Sequence, residues 1–451
     1  MNEFRRSLSR RDALCSLGAG FGGLALADLL RADAAGAPTA PHFAPRAKSV
    51  IFLFMSGGPS HLDLFDPKPE IAKRAGQRPQ DVDVRTERVT GGLLPSPFQF
   101  RKCGAAGIEV SELLPEFQSC VDDVCVVRSL HGVNPNHAPA ANHLFSGRID
   151  QIHPSLGAWV SYGLGRENDS LPGFVSIKNG DTASRYVRNG YLPGENQATP
   201  IDPRTPRVEK MIRHLRNEAL PPASQRRQLE FIRALNAAHR ERRPGDDALD
   251  ARVQAMETAF QMQFAAGEAL DLATETKETR RLYGTGWFAD GCLVARRLVE
   301  RGVRYIHLEV GNWDHHDKIG TNIRKSAAEI DRPLRALLVD LKRRGLLADT
   351  LVVWSGEFGR TPVSENGDGR DHNPFGFTAW LAGGGVRGGF TYGATDDFGF
   401  KAVENRVSVH DLHATMLHLL GLDHERLTYR HSGRDFRLTD VHGRVVREIL
   451  A

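Results

Sequence analysis

The chain has 451 residues, 40% hydrophobic and 25% charged, which suits one large α/β domain with insertions or about three domain-lengths. A small disulfide scaffold, a peptide hormone and a wholly disordered chain are excluded by that length and composition. Lys+Arg 59 against Asp+Glu 55 leaves a net charge of +4, with no dense basic run interleaved with aromatics, so nucleic acid is not an expected partner.

The first forty residues stand apart in composition. Arg5, Arg6, Arg10 and Arg11 precede an Ala/Gly/Leu stretch from Leu14 to Leu30, and an Ala-rich segment follows, the tripartite shape of an export signal. Ser9-Arg10-Arg11-Asp12-Ala13-Leu14 resembles a twin-arginine signal, with Ala13 where Phe is usual. Residues 1–37 are expected to be that signal, ending at the small residues Ala35-Gly36-Ala37, and the mature protein is expected to be periplasmic or extracellular. The apolar stretch is too short and too rich in glycine to span a bilayer, so no integral membrane span is expected in the mature chain. Cys103, Cys120, Cys125 and Cys292 are scattered without zinc spacing and read as buried free thiols.

The first apolar run, Lys48 to Met55, has the continuous character of a buried strand in a parallel sheet. It leads into Ser56-Gly57-Gly58-Pro59-Ser60-His61-Leu62-Asp63. Paired glycines permit a tight turn, which would aim Ser60, His61 and Asp63 at a cleft where wound sheets bind ligands. A second strand is expected at Val124 to Arg128. From about Arg204 to Arg281 the composition changes, and Leu249, Val253, Met256, Phe260 and Phe264 recur at helical spacing. That pattern predicts a helical insertion with a core-facing stripe, broken at Pro221-Pro222 and Arg243-Pro244-Gly245. Helices are expected over Ala289 to Arg301 and Asn322 to Arg344, with strands at Val303 to Val310, Thr350 to Ser355 and Phe377 to Ala382. Strands alternating with helices predict an α/β fold with a wound sheet.

Three segments beside these strands carry metal-ligating side chains. Gly311-Asn312-Trp313-Asp314-His315-His316-Asp317 follows one strand, Glu357-Phe358-Gly359-Arg360 follows the next, and Gly369-Arg370-Asp371-His372-Asn373-Pro374 precedes the last. Carboxylates and imidazoles in this density suit a divalent metal, zinc first, with manganese, iron or calcium as alternatives. The number of ligands allows one ion, or two about 4 Å apart. Arg360 offers a planar fork for an oxyanion.

The order of strand, Gly-Gly turn, Asp-x-His (Asp314, His316), Gly-Glu-Phe-Gly-Arg (Gly356 to Arg360) and Asp-His-Asn-Pro (Asp371 to Pro374) resembles a bacterial family of secreted, sulfatase-like proteins, DUF1501. That family is similar to the alkaline phosphatase superfamily of phosphatases, arylsulfatases and phosphomutases. The resemblance runs from about Lys48 to the C-terminus, and it implies an alkaline phosphatase/sulfatase-like sheet flanked by helices over residues 48–451. It implies that Asp314, His316 and His372 share one metal, and that Glu357 with His61 or Asp63 holds a second. Phe358 stands where the superfamily has a histidine. His137 in His137-Ala138-Pro139-Ala140-Ala141 occupies the superfamily's nucleophile position, with Ala141 replacing an arginine. The formylglycine precursor is therefore missing, and His137 is left to bind metal, act as a base or carry a phosphoryl group. Ser60 is the nearest hydroxyl nucleophile.

The expected function is an exported metal-dependent hydrolase of a phosphate or sulfate ester, with metal-activated water or Ser60 attacking. Its partner would be an anionic small-molecule ester or a sulfated or phosphorylated polymer. The alternative is a non-catalytic, metal-containing exported protein that binds an anionic polymer or a protein.

Overall fold

The computed structural model describes residues 40–451 except 80–85, 87, 151–152, 169, 179–184, 206–207, 213–220 and 243–265. The expected signal and the Leu249 to Phe264 stripe lie outside the described residues.

Apolar runs without alternation form the middle of one large sheet because both of its faces are covered. Its strands are Ser49–Met55 (β1), Val124–His131 (β3), Phe174–Lys178 (β4), Thr199–Ile201 (β5), Tyr305–Val310 (β6), Thr350–Ser355 (β7), Phe377–Ala382 (β10), Phe390–Tyr392 (β11) and Val407–Ser408 (β12). A separate small sheet contains Thr90–Leu93 (β2), Gly359–Glu365 (β8) and Gly369–Asn373 (β9). The order across the large sheet is β11-β3-β10-β7-β1-β6-β4-β5, with β12 added to β3.

Strand β10 runs antiparallel to both neighbours, and the remaining pairs are parallel. The sheet is therefore mixed, where the sequence predicted a parallel one. The cause is local: after β7 the chain makes the β8–β9 hairpin above the carboxyl edge of the sheet and re-enters from that edge. A parallel re-entry would need a crossover long enough to return to the opposite edge.

Alternate residues of β1 serve two cores. Val50, Phe52 and Phe54 pack with His137–Ser146 (α1), Leu156–Leu164 (α2) and, further along the chain, Val409–Leu419 (α6). Ile51, Leu53 and Met55 pack with Trp287–Val299 (α4) and Ile319–Arg343 (α5). Every residue of β1 is buried, and each large apolar side chain so buried stabilises by about 1.5–3 kcal/mol. Between α2 and α4, Pro222–Arg242 (α3) is a helix of the expected insertion, with Phe231 and Leu235 exposed along it.

The four described cysteines are unpaired, three of them buried. Among the described residues no helix is long and apolar enough to cross a membrane.

Candidate metal centre

Strands β1, β6 and β7 are adjacent, and their last residues are in register, Met55 beside Val310 and Phe54 beside Ser355. Three loops therefore leave one edge side by side. They meet closely at Gly57, whose φ is +117° and whose missing Cβ would stand 2.6 Å from the Asp314 backbone nitrogen. Only glycine accommodates both the conformation and the approach. Strand β3 ends at the same edge, and α1 begins six residues beyond it with His137. The β8–β9 hairpin then folds His372 back over the same point.

Four side chains converge there. Asp314 Oδ1 lies 2.8 Å from His316 Nε2, 3.2 Å from His372 Nε2 and 3.3 Å from His137 Nε2. One ligand atom from each of the four falls within 4.8 Å of every other. The opposite ring nitrogen of each histidine is already occupied: His137 Nδ1 is 2.6 Å from Glu357 Oε1, His316 Nδ1 is 2.5 Å from Glu365 Oε2, and His372 Nδ1 is 2.7 Å from the Pro135 carbonyl. Carboxylates and carbonyls only accept, so each Nδ1 donates, and each neutral ring presents an Nε2 lone pair to the centre. Buried Nε2 atoms of His137 and His316 make no hydrogen bond of good geometry.

Three lone pairs and a carboxylate facing one another demand a positive charge between them. Protons are one way to meet it. His137 is half-buried, and its partial desolvation opposes protonation, yet Asp314 and Glu357 push its pKa up to about 9. Asp314 also raises His316, aided by Glu365, whereas burial keeps His372 below the ordinary imidazole value. Burial disfavours ionised Asp314, but the three imidazoles and Arg360 hold its carboxyl far below the usual carboxylate range. A divalent cation is the other way to meet the demand, and three imidazoles with one carboxylate suit zinc better than calcium, which prefers oxygen ligands.

The remaining expected site residues take other places. Glu357 is buried, accepts the Gly57 N–H at 3.0 and 3.2 Å, and reaches the centre only through His137. His61 and Asp63 do not join it. His61 Nε2 bonds to the Gly399 carbonyl at 2.8 Å, and Asp63 pairs with Arg370 at 2.8 Å in a fully buried contact. Ser60 is buried and donates its hydroxyl to Asp63, so it does not present a nucleophile. The helical turn beginning at His61 aims these side chains away from the strand edge. Asp371 accepts the backbone N–H of His372 and of Arg88, and a carboxylate oxygen of Asp371 lies within 4.8 Å of ligand atoms of both His316 and Glu365, a second group of potential metal ligands that shares His316 with the quartet.

Arg360 departs furthest from its expected role. It is fully buried and donates to the carbonyls of Gly57, Gly58, Trp313 and Arg370, and to Asp314 at 2.6 Å. Its buried fork ties three loops together and holds Asp314, with Nε, Nη1 and Nη2 each already donating within the protein. Phe358 forms a wall of the centre, its ring 4.9 Å from His137 and 4.5 Å from His372 between centroids. Glu365 was not anticipated; its only sequence signal was a carboxylate on a short strand near His316.

A cleft of about 690 Å³ opens at this centre. Of the three converging imidazoles only His137 lines it.

Solved structures of low similarity have related shapes. A lipoteichoic acid synthase from Listeria monocytogenes is 10% identical, with 88% of this chain and 76% of that chain covered and a TM-score of 0.41. The PsFucS1 sulfatase from Pseudoalteromonas sp. is 12% identical over 84% and 68%, with a TM-score of 0.36. The phosphonate monoester hydrolase SpPMH from Silicibacter pomeroyi is 11% identical over 75% and 71%, with a TM-score of 0.35. No curated relative matches at a significant level. A family model described as "Protein of unknown function (DUF1501)" matches residues 47–450, and the chain belongs to that family.

Proposed function

We propose that the protein is an exported, metal-dependent hydrolase of a phosphate or sulfate ester. The observation that carries this reading is the convergence of three imidazole Nε2 atoms on Asp314 Oδ1, each ring locked by an acceptor at its Nδ1. Asp314, His316 and His372 are the residues that would hold the ion. A divalent ion held there supplies Lewis acidity, which stabilises charge on an ester oxyanion and favours ionisation of water near neutral pH.

The chain's own groups supply the rest. Glu357 orients His137 and stabilises its protonated form, so that Nε2 can take a proton from attacking water and return it to the departing alcohol. Arg360 keeps Asp314 ionised and immobile. Phe358 covers His137 and His372 and limits water to the open side of the cleft. Glu365 fixes the His316 ring and raises its basicity.

The Arg10-Arg11 signal supports action outside the cytoplasm; an exported protein whose N-terminal peptide still contains Arg10-Arg11 would reject cleavage. The central test is metal content per chain of protein purified without chelators, followed by a screen of chromogenic phosphate and sulfate esters. About one equivalent of a transition metal, lost together with turnover in an Asp314→Ala/His372→Ala double variant, is the expected result. Equal turnover in the metal-free variant would overturn the reading. A metal-loaded protein that turns over no ester would point instead to a binding protein.

A further inference from the structure

We infer that Arg185 and Lys325 form a second anion subsite in the cleft, so that the substrate is an ester of a polyhydroxylated alcohol that carries a further phosphate or sulfate group. This rests on the hydrolase reading above for the reacting ester, and on separate residues for the second group.

The two cations reach the cleft from opposite layers. Tyr186, next to Arg185, packs against the core shared by α1 and α2 and sits 6.2 Å from the Phe54 ring. Lys325 lies in the second turn of α5, which covers the other face of the sheet. Both are exposed, and both line the cleft that contains His137 and Asp314. Among the described residues neither has a carboxylate within ion-pairing distance, and neither contacts Asp314, whose partners are the three imidazoles and Arg360. Further along α5, by contrast, Lys342 is paired with Asp123 at 2.6 Å, and just past its end Arg344 is paired with Asp340 at 2.8 Å.

Arg185 is also partly ordered in advance. Its guanidinium donates to the Tyr186 hydroxyl at 2.7 Å and lies 4.9 Å from the centre of that ring. Fixing a long side chain before binding reduces the entropy lost when an anion docks.

The space and lining fit a polyol better than an apolar alcohol. A volume of about 690 Å³ falls in the range that encloses an organic ligand of drug size, far beyond a tetrahedral oxyanion alone. Asn312, Asn322 and Glu329 also line the cleft. An apolar alcohol would displace water from these polar groups without replacing its hydrogen bonds, whereas hydroxyls can replace them.

The test is calorimetric titration of the full chain with glucose 6-phosphate, glucose 1,6-bisphosphate, and a monosulfated and a disulfated disaccharide, beside the ester screen. For the matching oxyanion, the doubly charged probe should bind about tenfold more tightly than the singly charged one at low salt, consistent with two partly exposed ion pairs. An Arg185→Ala/Lys325→Ala variant should bring that ratio to about one, and Arg185→Lys/Lys325→Arg should retain most of it. The phosphate and sulfate arms show which anion is selected. Equal binding of both probes by the wild type, or a ratio that survives the double alanine change, overturns the subsite. Ester turnover without any such preference leaves the hydrolase reading standing and the subsite refuted; preference without turnover does the reverse.

Discussion

Glu357 Oε1 lies 2.6 Å from His137 Nδ1 while both carboxylate oxygens take the Gly57 N–H. One buried side chain thus connects the first strand loop, the third and the start of α1. Glu357→Gln keeps the volume and one acceptor but removes the charge that favours protonated His137. Turnover of the best ester found by screening should fall about 10²-fold, with thermal unfolding nearly unchanged. Unaltered kcat in this variant would remove His137 from proton transfer.

Arg360→Lys tests whether the arginine serves the fold or the substrate. Lysine cannot reproduce a fork that spans the Gly58 and Arg370 carbonyls and Asp314. The acceptors left buried should cost about 3 kcal/mol or more. A large fall in Tm with metal content reduced in parallel is expected. A rise in KM alone, at wild-type Tm, would restore the oxyanion role.

Gly57→Ala introduces a Cβ 2.6 Å from the Asp314 backbone nitrogen at a φ of +117°. Backbone atoms on both sides must move, so metal content should be lost even though no ligand is changed. The same substitution at Gly76, which has open space around it, is a control for the cost of positive φ alone.

Glu365→Ala should weaken metal binding by about 10- to 100-fold by freeing the His316 ring. Equilibrium dialysis against a competing chelator measures this directly. An unchanged dissociation constant would reduce the Glu365 contact to a structural one.

Acid sensitivity should come partly from two histidines away from the centre. Burial pushes His413 down to about 3, and burial with neighbouring His410 pushes His143 down to about 4. The unfolded chain protonates these rings below about pH 6.5, the folded chain only near those lower values. Stability is therefore full above about pH 6.5 and falls as pH drops toward 4, by about 1.4 kcal/mol per unit for each ring. His413→Gln, which can still donate to the Leu144 carbonyl, should show a shallower decline of Tm between pH 7 and 5 than the wild type.

The buried strands were legible because nothing in them alternates: Thr350–Ser355 and Phe377–Ala382 match the apolar runs residue for residue, and β1 begins one residue later than expected. Asp314, His316, His372 and Glu357 were legible as polar residues beside such runs, and His137 only through the family resemblance. Direction was not. His61 and Asp63 follow β1 just as closely, but a short helical turn carries them into contacts with Gly399 and Arg370. Arg360 resembled an anion ligand because sequence does not reveal that Nε, Nη1 and Nη2 all donate to carbonyls or Asp314 within the protein. Glu365 was hidden because its closeness to His316 depends on an antiparallel hairpin with an irregular register.

The His137–Glu357 bond joins residues 220 positions apart in the chain. Chain closure over that span is slow compared with local helix formation, and His372 must arrive later still from the ribosome. No N-terminal fragment that stops short of the β8–β9 hairpin contains all of Asp314, His316 and His372. Uptake of the ion would then serve as a timing signal: a chain that retains it has been made at least through β9, and its occupancy stabilises the native state by mass action only from that moment.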